Sequence, residues 1–126
     1  LARVVHFEVA VEDVKRAAAF FENVFGWKLD RQEGPWGTFL ALITGDEKEP
    51  GISGAVYERT FPSDGVINTL DVDDVDKYID RIKKAGGEIT FEKCPIPAVG
   101  YLAYFKDKDG NQFGMMQRDE TVEVGK

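Results

Sequence analysis

The chain has 126 residues, 43% of them hydrophobic, which suits one domain with a core of its own. Its formal net charge is −7 and its pI is near 4.7, with Lys and Arg scattered along it, which argues against a nucleic-acid partner. No apolar run approaches the ~18 residues of a membrane span, no secretory segment opens the sequence, and the single Cys94 permits no internal disulfide. These features lead to the expectation of a soluble, cytoplasmic protein.

In chain order, "HFEVAVEDVKRAAAFFENVFGW" from His6 reads as a strand, a cap and a helix. Val5, Phe7 and Val9 share one strand face, with His6, Glu8 and Ala10 on the other. Asp13 is the predicted N-cap, Ala17, Phe21, Val24 and Phe25 the predicted core face of the helix, and Gly26 its end. A short strand follows over Trp27–Gln32, then a hairpin within "WGTFLALITGDEKEPGISGAVYER". Thr60–Gly65, "TFPSDG", has the composition of a linker turn.

The second half repeats the first. "VINTLDVDDVDKYIDRIKKAGGEIT" runs from a strand through a capping Asp74 into a helix marked by Tyr78, Ile82 and Ala85, which Gly86-Gly87 ends. The capping aspartates stand 61 residues apart, and so do Gly26 and Gly87. A short strand at Glu88–Glu92 and the hairpin in "VGYLAYFKDKDGNQFGMMQR" complete the unit. Each half is βαβββ, with module one at 3–59, the linker at 60–65, module two at 66–118 and a tail at 119–126, all in one domain. A ferredoxin-like βαββαβ arrangement has too few strands after each helix to fit. "DKDGN" at Asp107–Asn111 alternates oxygen ligands, but an EF-hand would need glycine at Gln112 and glutamate at Arg118, so an Asp-Gly hairpin turn is expected instead.

This pair of modules, carried by "VVHFEVAVEDVKRAAAFFENVFGW", "DVDDVDKYIDRIKKAGG" and "YLAYFKDKDGNQFG", resembles the vicinal oxygen chelate superfamily. That group includes glyoxalase I, fosfomycin- and bleomycin-resistance proteins, methylmalonyl-CoA epimerase and extradiol dioxygenases. The resemblance implies an α+β fold in which two tandem βαβββ modules form a cupped mixed sheet with helices outside. It also implies a homodimer, and a divalent ion held by the first and last strands of each module. The four matching positions here are His6, Gly54, Ile67 and Gly114. Only one carries a donor, and Glu8 adds at most a second, whereas a catalytic ion needs three or four.

The expected site is therefore a metal-free cup for a small organic molecule. His6 and Glu8 are its candidate catalytic pair, a carboxylate near an imidazole being able to raise the latter's pKa. Trp36, Gly54, Ile67, Thr69, Tyr101, Gly114 and Met116 are its candidate substrate-binding lining. Gly54 and Gly114 either leave room for ligand or make way for a bulky neighbour. His6 is a ligand contact, an acid–base group or a strand residue retained from a metal-binding ancestor. Two alternatives remain open: a lyase, isomerase or dioxygenase using Zn, Ni, Mn or Fe through unrecognised ligands, and a non-catalytic interaction or regulatory module. Cys94, in "FEKCPIP", reads as a small buried hydrophobe.

Overall fold

Two nearly identical strand-to-helix turns set the architecture. In the computed structural model, which describes residues 2–34, 37–59 and 65–123, strand β1 (Arg3–Val11) leads to helix α1 (Val14–Phe25), and β5 (Val66–Asp71) leads to α2 (Val75–Lys84). Asp13 Oδ1 accepts the Arg16 amide at 3.0 Å and Asp74 Oδ1 accepts that of Lys77 at 3.3 Å, so both predicted aspartates cap their helices. Gly26 closes α1 in the left-handed conformation, with φ 69°, and its amide bonds to the Glu22 carbonyl. Glycine serves there because a Cβ would be strained.

Strands β2 (Lys28–Gly34), β3 (Gly37–Ile43) and β4 (Gly54–Glu58) follow α1, and β6 (Glu88–Ile96), β7 (Gly100–Lys106) and β8 (Gln112–Arg118) follow α2. The fold is α+β, with the predicted βαβββ order in each half. The first half has the strand order β2-β3-β4-β1, and the second β5-β8-β7-β6. In each, the pairing of the first strand with the last is parallel and the other pairings are antiparallel. By contacts the chain divides into one unit at His6–Ile67 and a second formed by the rest, so the division falls inside β1 and β5. Of the predicted linker, residues 60–64 lie outside the described residues, as does Trp36.

In the second unit, Val72, Val75, Ala103 and Met115 form the buried core, with Leu70, Tyr78, Ile79, Ile82, Tyr101 and Phe105 packed around them. Burial of these side chains under α2 is the main source of stability in this half. In the first unit, Leu42 and Val56 are fully buried on a sheet face shared with Leu29, Leu40 and Phe7. Helix α1 departs from expectation. Phe21 and Phe25 stack on Trp27 at 5.3 and 5.0 Å between ring centroids, yet Val24 and Phe25 remain 56% exposed and no α1 residue is fully buried. The predicted core face of α1 is thus an aromatic cluster half open on its outer side.

Candidate functional site

Strand alternation assigns each candidate to a face. In the second unit Thr69 pairs with Gly114, Gly114 with Tyr104, and Met116 with both Asp71 and Leu102. Thr69, Gly114, Met116, Leu102 and Tyr104 therefore share one face, with Phe91 set edge-on to Tyr104 at 5.9 Å. Ile67 has the same parity on β5 as Thr69, and both are almost wholly buried.

Tyr101 does not join them. It packs against the core beneath α2 with Ala103 and Phe105, and Lys93 Nζ sits 4.4 Å from its ring centroid. The aromatic residues of the Thr69 face are Tyr104 and its strand partner Phe91, neither of which the sequence reading named. The signal for Tyr104 was available: the Asp-Gly hairpin sets Lys106 opposite Gln112, and counting outward by twos puts Tyr104 opposite Gly114. The "DKDGN" segment is that turn, with Asp107 Oδ1 accepting the amides of Asp109 at 2.9 Å and Asn111 at 2.8 Å. Asn111 Nδ2 also donates to Asp107 Oδ2, and this side-chain bond is the first cause holding the Asp107 carboxyl below the usual range.

Gly114 has little free space above it. A Cβ there would meet Tyr104 Cε1 at 3.0 Å and Thr69 Oγ1 at 3.2 Å. Thr69 Oγ1 is itself buried without a hydrogen-bond partner among the described residues, an unusual state for a hydroxyl. In the first unit a Cβ on Gly54 would run into the carbonyl oxygen and ring of Phe7. Both glycines thus stand where a bulky neighbour lies against the backbone.

The expected grouping of Gly54 with His6 and Glu8 is not what the ladder gives. Phe7 pairs with Gly54 and Glu8 with Ala55. In the second unit Thr69, the counterpart of Glu8, pairs with Gly114. Ala55, and not Gly54, therefore stands where Gly114 stands in the second unit, and counting one residue off turns a side chain to the other face. His6 and Glu8 accordingly share a face with Ala10, Ala55 and Tyr57, while Gly54 lies on the Phe7 side.

His6 is half-buried, and burial, which disfavours the imidazolium, lowers its pKa from 6.5. The rise expected from Glu8 does not occur, since the two residues are about 7 Å apart along the strand. The lowered value fixes a sign. Below 6.5 the unfolded chain binds a proton that the folded chain does not, so this stabilisation is present above 6.5 and is lost as pH falls through the folded pKa. NMR titration of the single histidine should give a midpoint below 6.5, and His6→Asn should flatten the acid-side fall in urea-unfolding stability.

A divalent ion of the kind the fold implies does not fit these positions. Gly54, Ile67 and Gly114 offer no donor, and the described residues contain no group of three or more His, Cys, Asp or Glu able to hold a metal. Among the same residues no helix is long and apolar enough to cross a membrane. Cys94 is half-buried, with Sγ 3.7 Å from the Pro95 carbonyl oxygen.

Fold and site together define a chain of duplicated βαβββ modules with a donor-poor version of a metal-site layout. Residues 3–115 match the Glyoxalase/Bleomycin resistance protein/Dioxygenase superfamily, and the chain belongs to that family. It is 30% identical over 128 residues to the lactoylglutathione lyase of Salmonella typhimurium, covering 94% of this chain and 95% of that one. It is 31% identical to a lactoylglutathione lyase of Arabidopsis thaliana, covering 96% of this chain but 46% of the relative, so it spans about half the length of that plant protein. Among solved structures, a hypothetical protein from Bacillus halodurans superposes with a TM-score of 0.71 at 15% identity, covering 98% of this chain and 99% of that one. Methylmalonyl-CoA epimerase from Mycobacterium tuberculosis does so with 0.67 at 14% identity, covering 92% and 87%. At these identities the two structures speak for the fold alone.

Proposed function

We propose that this chain is a glyoxalase-like protein that binds a small organic molecule without a family-type metal ion. The observation that carries the reading is the donor set: of four ligand positions, His6 alone can coordinate, and Gly54, Ile67 and Gly114 cannot. A half-buried imidazole held in its neutral form can orient or deprotonate a ligand, and Glu8 shares its face. A cytoplasmic homodimer belongs to the same proposal and rests on the family resemblance and the single cysteine.

A second reading, a metal-dependent lyase acting on a lactoylglutathione-type substrate, is favoured by the 30% identity to a lactoylglutathione lyase. It would need ligands from outside the four positions. Metal analysis of purified protein decides between them. The metal-free reading expects substoichiometric metal and a thermal shift with a panel of small carbonyl compounds and S-lactoylglutathione, because a ligand bound only by the native state raises its stability. Tightly bound stoichiometric metal, lost in His6→Ala, would sink it. A thermal midpoint unmoved by every compound would favour an interaction module.

A further inference from the structure

An arginine ends the last strand of each module, and the two are held differently. Ala55 and Gly114 are counterparts in the ladders, so Arg59, just past β4, matches Arg118 at the end of β8. By the repeat of 61 residues, Ala10 matches Asp71 and Glu12 matches Asp73. Arg59 is anchored three times. Its amide bonds to the Val11 carbonyl at 2.7 Å, its Nη2 donates to the Ala10 carbonyl at 3.3 Å, and its Nη1 lies 3.6 Å from Glu12 Oε1.

Arg118 lacks both of those side-chain anchors among the described residues. Asp73, a methylene shorter than Glu12, turns instead to Lys77 Nζ at 3.3 Å, four residues on. That bond is the first cause holding the Asp73 carboxyl below the usual range. The next residue, Asp119, bonds through its amide to the Val99 carbonyl at 2.9 Å, which carries the chain toward the start of β7. The guanidinium is left with Asp71, whose Oδ1 is 3.9 Å from its Nε. The Arg118 side chain is 73% exposed, against 39% for Arg59. A cleft of about 380 Å³ opens there, lined by Ala2, Asp71, Val72, Asp73, Tyr78 and Arg118.

We infer that this cleft binds a free α-amino acid, with its carboxylate on Arg118 and its ammonium on Asp71. The pairing of charges carries the argument. Arg118 and Asp71 stand side by side, too far apart at 3.9 Å to hydrogen-bond each other. An α-amino acid presents the opposite two charges on neighbouring groups. The guanidinium fork can donate two parallel bonds to its carboxylate, while Asp71 accepts from its ammonium. A simple anion would be repelled by Asp71, and a simple cation by Arg118. The zwitterion has no net charge, so the formal charge of −7 does not oppose it. Ala2, Val72 and Tyr78 give the cleft an apolar side, which suits an apolar side chain. This inference does not rest on the reading of His6.

L-leucine is the probe, followed through backbone amide NMR signals. It should shift the amides of Asp71, Val72 and Arg118 saturably. Leucinamide, without the carboxylate, and isocaproate, without the ammonium, should each bind about fivefold or more weakly, the scale of one lost charged contact. Arg118→Gln should weaken leucine by a similar factor and leave leucinamide unchanged, whereas Arg59→Gln should not alter leucine binding. Because Arg118 is exposed, its variant should keep the fold, which the amide spectrum checks directly. Equal leucine affinity in Arg118→Gln would overturn the assignment, and so would leucine that moves none of the three amides. Isocaproate binding as well as leucine would make the cleft a plain anion site and overturn the ligand class. Metal content, which tests the reading of His6, is untouched by any of these outcomes.

Discussion

Replacing Met115 with alanine should destabilise the protein by about 2–5 kcal/mol, the range for deleting a large buried side chain. Met115 is 1% exposed and belongs to the core with Val72, Val75 and Ala103. Its strand, β8, is hydrogen-bonded to β5 on one side and β7 on the other, so the backbone cannot collapse into the space left behind. The void would open beneath α2, whose first residue, Val75, is also fully buried. With the loss near the upper half of the range, much of a typical total stability of about 5–15 kcal/mol would be gone. Urea unfolding should show a lower midpoint with an unchanged slope, and Met115→Leu should cost less than about 1.5 kcal/mol. A loss below about 1 kcal/mol for the alanine variant would mean that α2 is not tightly seated on this sheet.

The features legible in the sequence are those written locally. Asp13 and Asp74 announce their helices because a cap acts over three residues, and Gly26 announces an end because it adopts the left-handed conformation. The duplication itself follows from these local signals recurring at one offset, and family membership confirms the fold drawn from them. What was hidden depends on pairing between distant strands. Counting by the repeat puts Gly54 on the face of His6, but the ladder puts Ala55 there, opposite Glu8 as Gly114 is opposite Thr69, so the count is off by one at β4. No pattern within β4 corrects that count, because both of its faces are buried and Gly54-Ala55-Val56 shows no alternation. The facing of Tyr101 is different in kind, because the hairpin register at Asp107–Asn111 does assign it, placing Tyr101 opposite Gln117 on the α2 side. The half-exposed aromatic cluster of α1 was equally out of reach, since periodicity tells which residues share a helix side and not how much of that side is covered.

Gly54→Ala and Gly114→Ala should part company, although counting by the repeat makes them equivalent. At Gly54 the added methyl would press on the carbonyl oxygen of Phe7, a backbone atom. Relief requires β1 and β4 to separate, and a cost of about 2–3 kcal/mol is expected, as for severe overpacking. At Gly114 the nearest atoms are Tyr104 Cε1 at 3.0 Å and Thr69 Oγ1 at 3.2 Å, both on side chains that can give by a few tenths of an ångström. Alanine also removes the entropic penalty of glycine within a strand, worth roughly 0.5–1 kcal/mol. The net change at Gly114 should therefore stay within about 1 kcal/mol. Urea-unfolding midpoints for the two variants measure the contrast directly. A mild Gly54→Ala would mean that Phe7 does not lie against Gly54 and that β1 and β4 pair in a different register. A one-residue change in that pairing would bring Gly54 in place of Ala55 onto the face of His6 and Glu8. The stability of one glycine variant thus reports on which side chains can reach a ligand.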